Sequence, residues 1–416
     1  MKKILLLTVF FLAACSSFGR GMVEALLDRS EEEKSLKQCE IRGRSFEGIA
    51  TYLEQDKIVK VLMIHGVGTH YAGYSGRIQE NLAKDLNLTV FSRRSKNITL
   101  ISPKDRKTDI GNLRVTQMQT ADRKKTLLFY ELTWSIITSP EKQILAYDYS
   151  GLYSYKRAGF NNGIKKFFDD TVPDPMMYLV DNGDYILDSS KQAICWMLSS
   201  EFDELPFSEK KVCNVSAYNQ IKDFADNDMV FITHSLGSRI LIDTLADVVD
   251  SVSKADAKIV KSADSQKIIN SMKNKELTVY MLANQLPMLQ IGRKTPKIVN
   301  QYKQYCTKGG KYYNNRVFKS IDIVAFSDPN DILSYDIPQD FVDNYIDSRM
   351  CVNVTNVSLN IENPISAFGV SVVNPVAAHT QYDNDSRVID LISYGSKVST
   401  IGHVLYQQCR VIELKD

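Results

Sequence analysis

The chain has few histidines and no large surplus of either charge. Five of its 416 residues are histidine, which leaves few candidates for a general base. Lysine and arginine number 51 against 49 aspartate and glutamate, a formal net charge of +2. Proteins that bind nucleic acid need a basic surplus to contact phosphates, so we expect no nucleic-acid partner.

Beyond the first fourteen residues, the sequence has no apolar run long enough for a transmembrane helix and no internal repeat. Apart from Cys15, its cysteines are widely spaced, unlike those of metal sites. Their even number permits up to three disulfides, in any of about fifteen pairings, and free buried thiols are the alternative. They are Cys39, Cys195, Cys213, Cys306, Cys351 and Cys409. We expect neither a metal nor an organic cofactor.

Residues 230–238 read Val-Phe-Ile-Thr-His-Ser-Leu-Gly-Ser, an apolar strand that leads into a turn with Ser235 at its apex. Gly237 leaves room for a sharp turn, and the apolar pattern of residues 239–246 predicts a helix behind it. This strand–turn–helix arrangement lifts a serine hydroxyl clear of a sheet edge, where a base can activate it. The pattern predicts Ser235 as a nucleophile; an ordinary strand-to-helix connection that contains a serine is the alternative.

A second apolar strand, residues 61–64, ends in His65 and Gly66. Acyl-transfer enzymes need two backbone N–H groups that point at the oxyanion formed on the attacked carbonyl. Because Gly66 lets the backbone approach closely, we predict that the N–H groups of Val67 and Leu236 form this oxyanion hole. A glycine-rich turn after a central strand, without such a role, is the alternative.

The carboxylate of a catalytic triad is expected after the serine in the chain. A core strand at residues 321–326 opens into a loop that carries Asp328, Asp331 and Asp336. Functional groups of open α/β sheets lie in such loops, at the carboxyl ends of buried strands. The loop is therefore predicted to supply the acid.

The general base is predicted to be His379, which follows a β-rich run and a proline-containing loop. His65 and His234 lie inside the two motifs above and are expected to support them structurally, because a base must reach Ser235 from across the crevice. His403, which has apolar neighbours, is the alternative base.

Four short blocks resemble the α/β-hydrolase superfamily and, within it, the lipase-like serine hydrolases. The blocks are residues 65–66, residues 233–237, residues 331–338, and the His-x-x-Tyr pattern of residues 379–382, which is similar to that of class 3 lipases. The resemblance implies a triad of Ser235, His379 and Asp331, in the superfamily's chain order Ser, Asp, His. Asp331 precedes two apolar residues and, further on, a proline, as the acid of this family does; Asp328 is the alternative acid.

The resemblance also implies the fold class. We expect an α/β domain over residues 46–416, with a mostly parallel central sheet and helices on both faces. Core-strand patterns pause over residues 135–227, a stretch longer than an ordinary loop. This helical insertion before the nucleophile strand is rich in aromatic residues and methionine. It is expected to form a lid or an acyl-binding groove, or simply to pack as a helical subdomain.

The N-terminus resembles that of bacterial lipoproteins. Two lysines precede an apolar stretch at residues 4–14, and residues 12–15, Leu-Ala-Ala-Cys, match the lipobox. The resemblance implies a signal peptide over residues 1–14, a lipidated Cys15, and a place in the cell envelope. The serine after Cys15 favours the outer over the inner membrane; a plain secretory signal is the alternative. Residues 15–45 are charged and are expected to form a tether with a short helix.

Together these features predict a membrane-anchored serine hydrolase that cleaves carboxylic esters, with lipid or phospholipid acyl esters as the leading substrates. The expected partners are the membrane, through Cys15, and the ester itself. A transacylase, a thioesterase or a peptidase would use the same triad. A non-catalytic surface adaptor on a hydrolase scaffold is the remaining alternative.

Overall fold

The computed structural model describes residues 39–53, 58–149, 157–180, 182–199, 201–213, 227–257, 263–367, 370–397 and 409–413. The signal peptide, Cys15, the helix expected within the tether and His403 lie outside these ranges. Within them, no helix has the length and apolar character needed to cross a membrane.

The described strands are short and mostly buried. They are β1 (Cys39–Gly43), β2 (Ile58–Ile64), β3 (Thr89–Val90), β4 (Lys96–Ile101), β5 (Asp109–Gln119), β6 (Thr126–Thr133), β7 (Ser208–Lys211), β8 (Asp228–His234), β9 (Glu276–Leu282), β10 (Ser320–Ser327), β11 (Val352–Leu359), β12 (Ile365–Ala367), β13 (Val370–Val372) and β14 (Arg410–Glu413).

The described α-helices alternate with these strands over much of the chain. They are α1 (Ile49–Leu53), α2 (Gly76–Asp85), α3 (Ser139–Lys142), α4 (Gly159–Thr171), α5 (Pro173–Tyr178), α6 (Gly183–Ser199), α7 (Leu236–Ala257), α8 (Ala263–Lys273), α9 (Tyr302–Cys306), α10 (Gln339–Tyr345), α11 (Pro375–Thr380) and α12 (Ser386–Tyr394).

One mixed sheet dominates the molecule, with the strand order β14-β1-β11-β10-β9-β8-β2-β6-β5-β4-β7 and β3 paired to β5. The neighbours from β11 to β6 are all parallel. Antiparallel pairs flank them, at β6/β5, β5/β4 and β1/β11. The expected α/β class with a mostly parallel sheet is confirmed, and the antiparallel flanks are a finding that the sequence did not predict.

Helices cover both faces of the sheet because alternate side chains of its strands point to opposite sides. Leu62 and Ile64 of β2 pack in the cluster that contains residues of α6 and α7. Val61 and Met63, on the other side of the same strand, pack with residues of α1, α2 and α12. A run of apolar residues buried on two faces is typical of a central parallel strand.

Two boundaries differ from those expected from the sequence. The sheet begins at Cys39, inside the segment 15–45 predicted as a tether, because β1 buries Cys39 and Ile41 and pairs with β11. The sequence pattern of residues 46–53 predicts a strand, but the structure has the short helix α1 there. The insertion over 135–227 is largely helical where it is described, yet it also supplies β7, which pairs with β4 at the sheet edge.

Three disulfides join the six cysteines other than Cys15. Cys39–Cys409 links β1 to the start of β14, Cys195–Cys213 links α6 to the residues after β7, and Cys306–Cys351 links α9 to the start of β11. The expected maximum of three disulfides is therefore reached, and the alternative of free buried thiols is wrong.

The disulfides differ in the length of chain that they close, which is 370 residues for Cys39–Cys409 and 18 residues for Cys195–Cys213. The chain-entropy model gives a stabilisation of about 6 kcal/mol for the first loop and about 3 kcal/mol for the second. We therefore expect paired Cys→Ala substitution to lower the free energy of unfolding more at Cys39 and Cys409 than at Cys195 and Cys213. Denaturant titration of both double variants checks this, and equal losses would contradict it.

Candidate active site

Ser235 lies at a sharp turn between β8 and α7. Its φ is +54°, a left-handed conformation that costs energy for a residue other than glycine and is found at strained functional turns. Its N–H donates to the carbonyl oxygen of Leu282 at 2.9 Å, and its own carbonyl accepts from the N–H of Ser238 at 3.0 Å. The Ser235 hydroxyl is buried and has no hydrogen-bond partner among the described residues.

Two glycines let the backbone of this turn approach the end of β2. A Cβ at Gly237 would lie 2.4 Å from the carbonyl oxygen of Ile64, and a Cβ at Gly66 would lie 2.6 Å from the Cβ of Ser235. Real Cβ atoms do not come this close, so both positions need glycine. The hydroxyl of Thr233, two residues before Ser235, pairs with that of Ser238 at 3.1 Å.

The two backbone N–H groups predicted as an oxyanion hole belong to this close approach. Leu236 begins α7 directly after Ser235, and Val67 follows Gly66 in the loop after β2. Neither N–H donates a hydrogen bond to another residue in the described part of the chain. Both N–H groups are therefore unpaired among the described residues, and their role as oxyanion donors stays a prediction.

His379 and Asp331 are joined by a hydrogen bond. Nδ1 of His379 lies 2.8 Å from Oδ2 of Asp331, and both side chains are buried. The other oxygen of Asp331 accepts from the N–H of Leu333 at 3.0 Å, which fixes the carboxylate in its loop. Since Nδ1 donates to the carboxylate, Nε2 carries the lone pair, and Nε2 has no partner among the described residues.

His234 holds α11, the helix that carries His379, against the elbow. Its Nε2–H donates to the carbonyl oxygen of His379 at 2.8 Å, and the two rings are 5.1 Å apart. Burial, helped by repulsion from His379, lowers the pKa of His234 to about 3, so this ring is neutral at ordinary pH. Ser235 Oγ and His379 Nε2 are not hydrogen-bonded to each other in this structure.

His65 supports the end of β2. Its Nδ1–H donates to the carbonyl of Gly66 at 2.7 Å, and its Nε2 accepts from the N–H of Trp134 at 3.1 Å. The ring also stacks on the Trp134 indole, with centroids 4.6 Å apart. Burial lowers the pKa of His65 well below its usual value, which matches this neutral tautomer.

Asp328, the alternative acid, accepts hydrogen bonds from backbone N–H groups of two loops through its carboxylate. One oxygen accepts from the N–H of Asn330 at 2.7 Å, and the other accepts from the N–H of Ile361 at 2.7 Å. Asp336, the third carboxylate of this loop, accepts from the hydroxyl of Ser327 at 2.5 Å. Of the three carboxylates of the loop, the described contacts bring Asp331 to His379.

An apolar cavity of about 440 Å³ reaches His379. One wall comes from α4 in the insertion, through Gly163 and Phe167, and the opposite wall includes Ile332 and Val376. The insertion predicted from the sequence therefore contacts the site directly. His379 is the one ionisable side chain in the lining of this cavity.

The insertion also holds the loop after β2, through residues that the sequence analysis missed. Asp174 accepts from the N–H of Gly68 at 2.6 Å and pairs with Lys142 at 2.8 Å. Asp170 accepts from the N–H and the hydroxyl of Thr69, at 3.0 and 2.6 Å. No motif marks these residues, because the contact joins segments about a hundred residues apart.

Comparison with protein-family models, with curated proteins and with solved structures gave no match for this chain. Among the described residues, no group of three or more histidine, cysteine, aspartate or glutamate side chains could hold a metal ion.

The depressed pKa of His234 predicts how stability depends on pH. The folded value of about 3 lies below the usual 6.5, so the unfolded chain takes up a proton between these values that the folded chain does not. This contribution to stability is complete above about pH 6.5 and is lost as the pH falls towards 3. His234→Gln keeps an N–H near the Nε2 position but removes the titrating ring. We therefore expect the free energy of unfolding of this variant to fall less steeply than that of the parent as the pH drops from 6.5 to 3.

Denaturant titrations of parent and variant between pH 3 and 7 measure this effect. His65, whose pKa is also lowered by burial, is unchanged in the variant, so part of the pH dependence of stability is expected to remain. An unchanged slope in the variant would show that His234 is protonated in the folded protein as readily as in the unfolded one.

Proposed function

We propose that this chain is a serine hydrolase of carboxylic esters, with Ser235 as nucleophile, His379 as general base and Asp331 as the acid that orients it. The observation that carries the proposal is the 2.8 Å hydrogen bond from His379 to Asp331, beside a serine in a left-handed turn. Ser235 Oγ and His379 Nε2 are buried and have no hydrogen-bond partner in the described structure. A serine nucleophile and its general base react through these two atoms.

The strand order supports an α/β-hydrolase fold. β2 pairs with β6 on one side and with β8 on the other, so the chain leads from β2 towards β6 and from β8 towards β9, in opposite directions across the sheet. Open α/β sheets bind ligands at such a switch point, beyond the carboxyl ends of the strands. Gly66 follows β2 at this point, and Ser235 follows β8.

The proposed chemistry uses each group once in each half-reaction. Ser235 Oγ attacks the acyl carbon as its proton passes to Nε2 of His379, and the N–H groups of Val67 and Leu236 bind the oxyanion. His379 then gives the proton to the departing alcohol, which leaves an acyl-serine. Water attacks this ester in the same way, which releases the acid and restores the serine.

The apolar cavity supports an acyl chain as the group that is transferred. Its walls are aliphatic and aromatic, apart from His379, and they suit hydrocarbon rather than a charged or hydroxylated group. We propose lipid or phospholipid acyl esters as substrates, delivered to an enzyme that a lipidated Cys15 anchors in the cell envelope, in the outer rather than the inner membrane. A non-catalytic adaptor would not need all three members of the triad.

An activity-based probe tests the nucleophile. A fluorophosphonate is expected to label the parent, Ser235→Ala is expected to lose all labelling, and Asp331→Asn is expected to slow it by about 10⁴-fold while the fold is kept. Asp328→Asn is expected to lower the melting temperature, because two loop N–H groups lose a charged acceptor, and to slow labelling far less.

Ser238→Ala is the matched control, since Ser238 lies three residues further on and its hydroxyl is already paired with Thr233. Equal labelling of the parent and Ser235→Ala, or a slower reaction for Asp328→Asn than for Asp331→Asn, would overturn the assignment of the triad.

The cavity predicts a preference for longer acyl chains. We expect kcat/KM for p-nitrophenyl esters to rise from acetate to octanoate, by up to about fourfold for each methylene buried. Gly163→Leu places a side chain in the cavity wall and is expected to remove most of the octanoate advantage, with a smaller effect on acetate.

Gly76→Leu serves as control, because Gly76 also has open space beside it and lies outside the cavity. A parent that cleaves the shortest ester best, or a Gly163→Leu variant with the parent's chain-length profile, would contradict the assignment of the cavity to the acyl chain.

A further inference from the structure

A second cleft, of about 560 Å³, adjoins the loop that follows β2. Its walls are residues 69–72 of that loop, the adjacent ends of β5 and β6, and the insertion from Ser135 to Asp170. Unlike the apolar cavity at His379, it has several polar and charged side chains in its lining. The triad proposed above does not use it.

Three polar atoms in the walls of this cleft are buried and have no hydrogen-bond partner in the described structure. They are Oδ1 of Asn112, Oγ1 of Thr133 and Oδ2 of Asp169. Thr133 is only 6% exposed, so its hydroxyl is shielded from water and has no hydrogen-bond partner among the described residues. Leaving such an atom unpaired costs about 1–3 kcal/mol, and a ligand that supplies the missing hydrogen bond recovers this energy.

Two of these atoms come from a directly opposed pair of residues. Asn112 of β5 and Thr133 of β6 are partners across the antiparallel ladder, so their side chains lie on the same face of the sheet. Asp169 approaches from α4 in the insertion. The three groups therefore line one cleft from two independent elements, the sheet and the insertion.

The charge of the walls is nearly balanced. Asp170 pairs with Lys142 at 3.3 Å and accepts from Thr69, so both of its oxygens are already used. Asp169 then remains as a hydrogen-bond acceptor with one open oxygen. A phosphate in this cleft would be repelled by the two aspartates, whereas a hydroxyl group can donate to Asp169 without repulsion.

We propose that this cleft binds a neutral polyhydroxylated group, such as a sugar or polyol ring. A hydroxyl can donate to the open oxygens of Asn112 and Asp169 and can exchange a hydrogen bond with the hydroxyl of Thr133, whichever way that group points. Tyr71, which is 79% exposed at the cleft, offers an aromatic face to the C–H surface of such a ring. The proposal does not depend on the hydrolase activity.

The experiment titrates the full chain carrying Ser235→Ala with methyl glucoside, maltose and sorbitol, and with inorganic phosphate and choline for comparison. Calorimetry detects binding and gives the dissociation constant, and intrinsic fluorescence is recorded alongside it. We expect at least one of the three polyols to bind more tightly than either charged ion.

Two variants locate the site. Thr133→Val keeps the shape of the side chain but removes the open hydroxyl, and Asp169→Asn removes the charge of the acceptor on the insertion. Each is expected to weaken polyol binding by about tenfold. Thr116→Val is the matched control, because Thr116 is buried on the same pair of strands but its hydroxyl is paired with Ser95 at 3.0 Å.

Tighter binding of phosphate or choline than of every polyol would overturn the proposal, as would equal affinities in Thr133→Val, Asp169→Asn and the control. Absence of a heat or fluorescence change with all three polyols at millimolar concentration would also overturn it. Failure of Ser235 to react with a fluorophosphonate would leave this site unaffected, because binding is measured without turnover.

Discussion

The close approach of two strand ends is the constraint on which the candidate site depends. β2 and β8 are parallel neighbours, so their carboxyl ends meet at one edge of the sheet, and the chain must leave that edge twice within a few ångströms. Gly66 and Gly237 allow this, since a Cβ at either position would overlap the other segment. In this restricted space the chain makes a sharp, left-handed turn at Ser235, next to the two unpaired N–H groups. Strain at this point is borne by the many strand and helix contacts around it.

The histidine side of the site depends on two neighbouring imidazole rings that have different partners. His379 is hydrogen-bonded to Asp331 through its ring and to His234 through its carbonyl. The centroids of the His234 and His379 rings are 5.1 Å apart. Burial lowers the pKa of His234 to about 3, so His234 stays a neutral donor that holds the backbone of α11 against the elbow. Asp331 holds Nδ1 of the other ring, and Nε2 of that ring has no partner among the described residues.

The sequence predicted what depends on local pattern and missed what depends on distant pairing. Apolar runs located the strands β2, β8 and β10 that lead into the site, and the small residues around Ser235 located the turn, because both signals lie within ten residues. Asp331 was separated from Asp328 by a family resemblance, and the structure brings Asp331, not Asp328, to His379. The strand β1 was missed because five residues with charged neighbours show little pattern until β11 pairs with them. The pairing of the cysteines and the hold of Asp174 on Gly68 are likewise contacts between distant segments.

The insertion divides into parts with different mechanical roles. At α5, Asp174 is fully buried, accepts the N–H of Gly68 and pairs with Lys142. Withdrawing this carboxylate would leave the buried Lys142 ammonium with Asp170 as its partner, and would remove the acceptor of the Gly68 N–H in the loop that carries Val67. At α4, by contrast, Phe168 is 54% exposed, and Gly163 and Phe167 line the apolar cavity. Any movement that admits a long acyl chain must therefore leave α5 in place. Asp170, near the C-terminal end of α4, also binds this loop through Thr69, so a shift of the whole of α4 would disturb the proposed oxyanion donors as well.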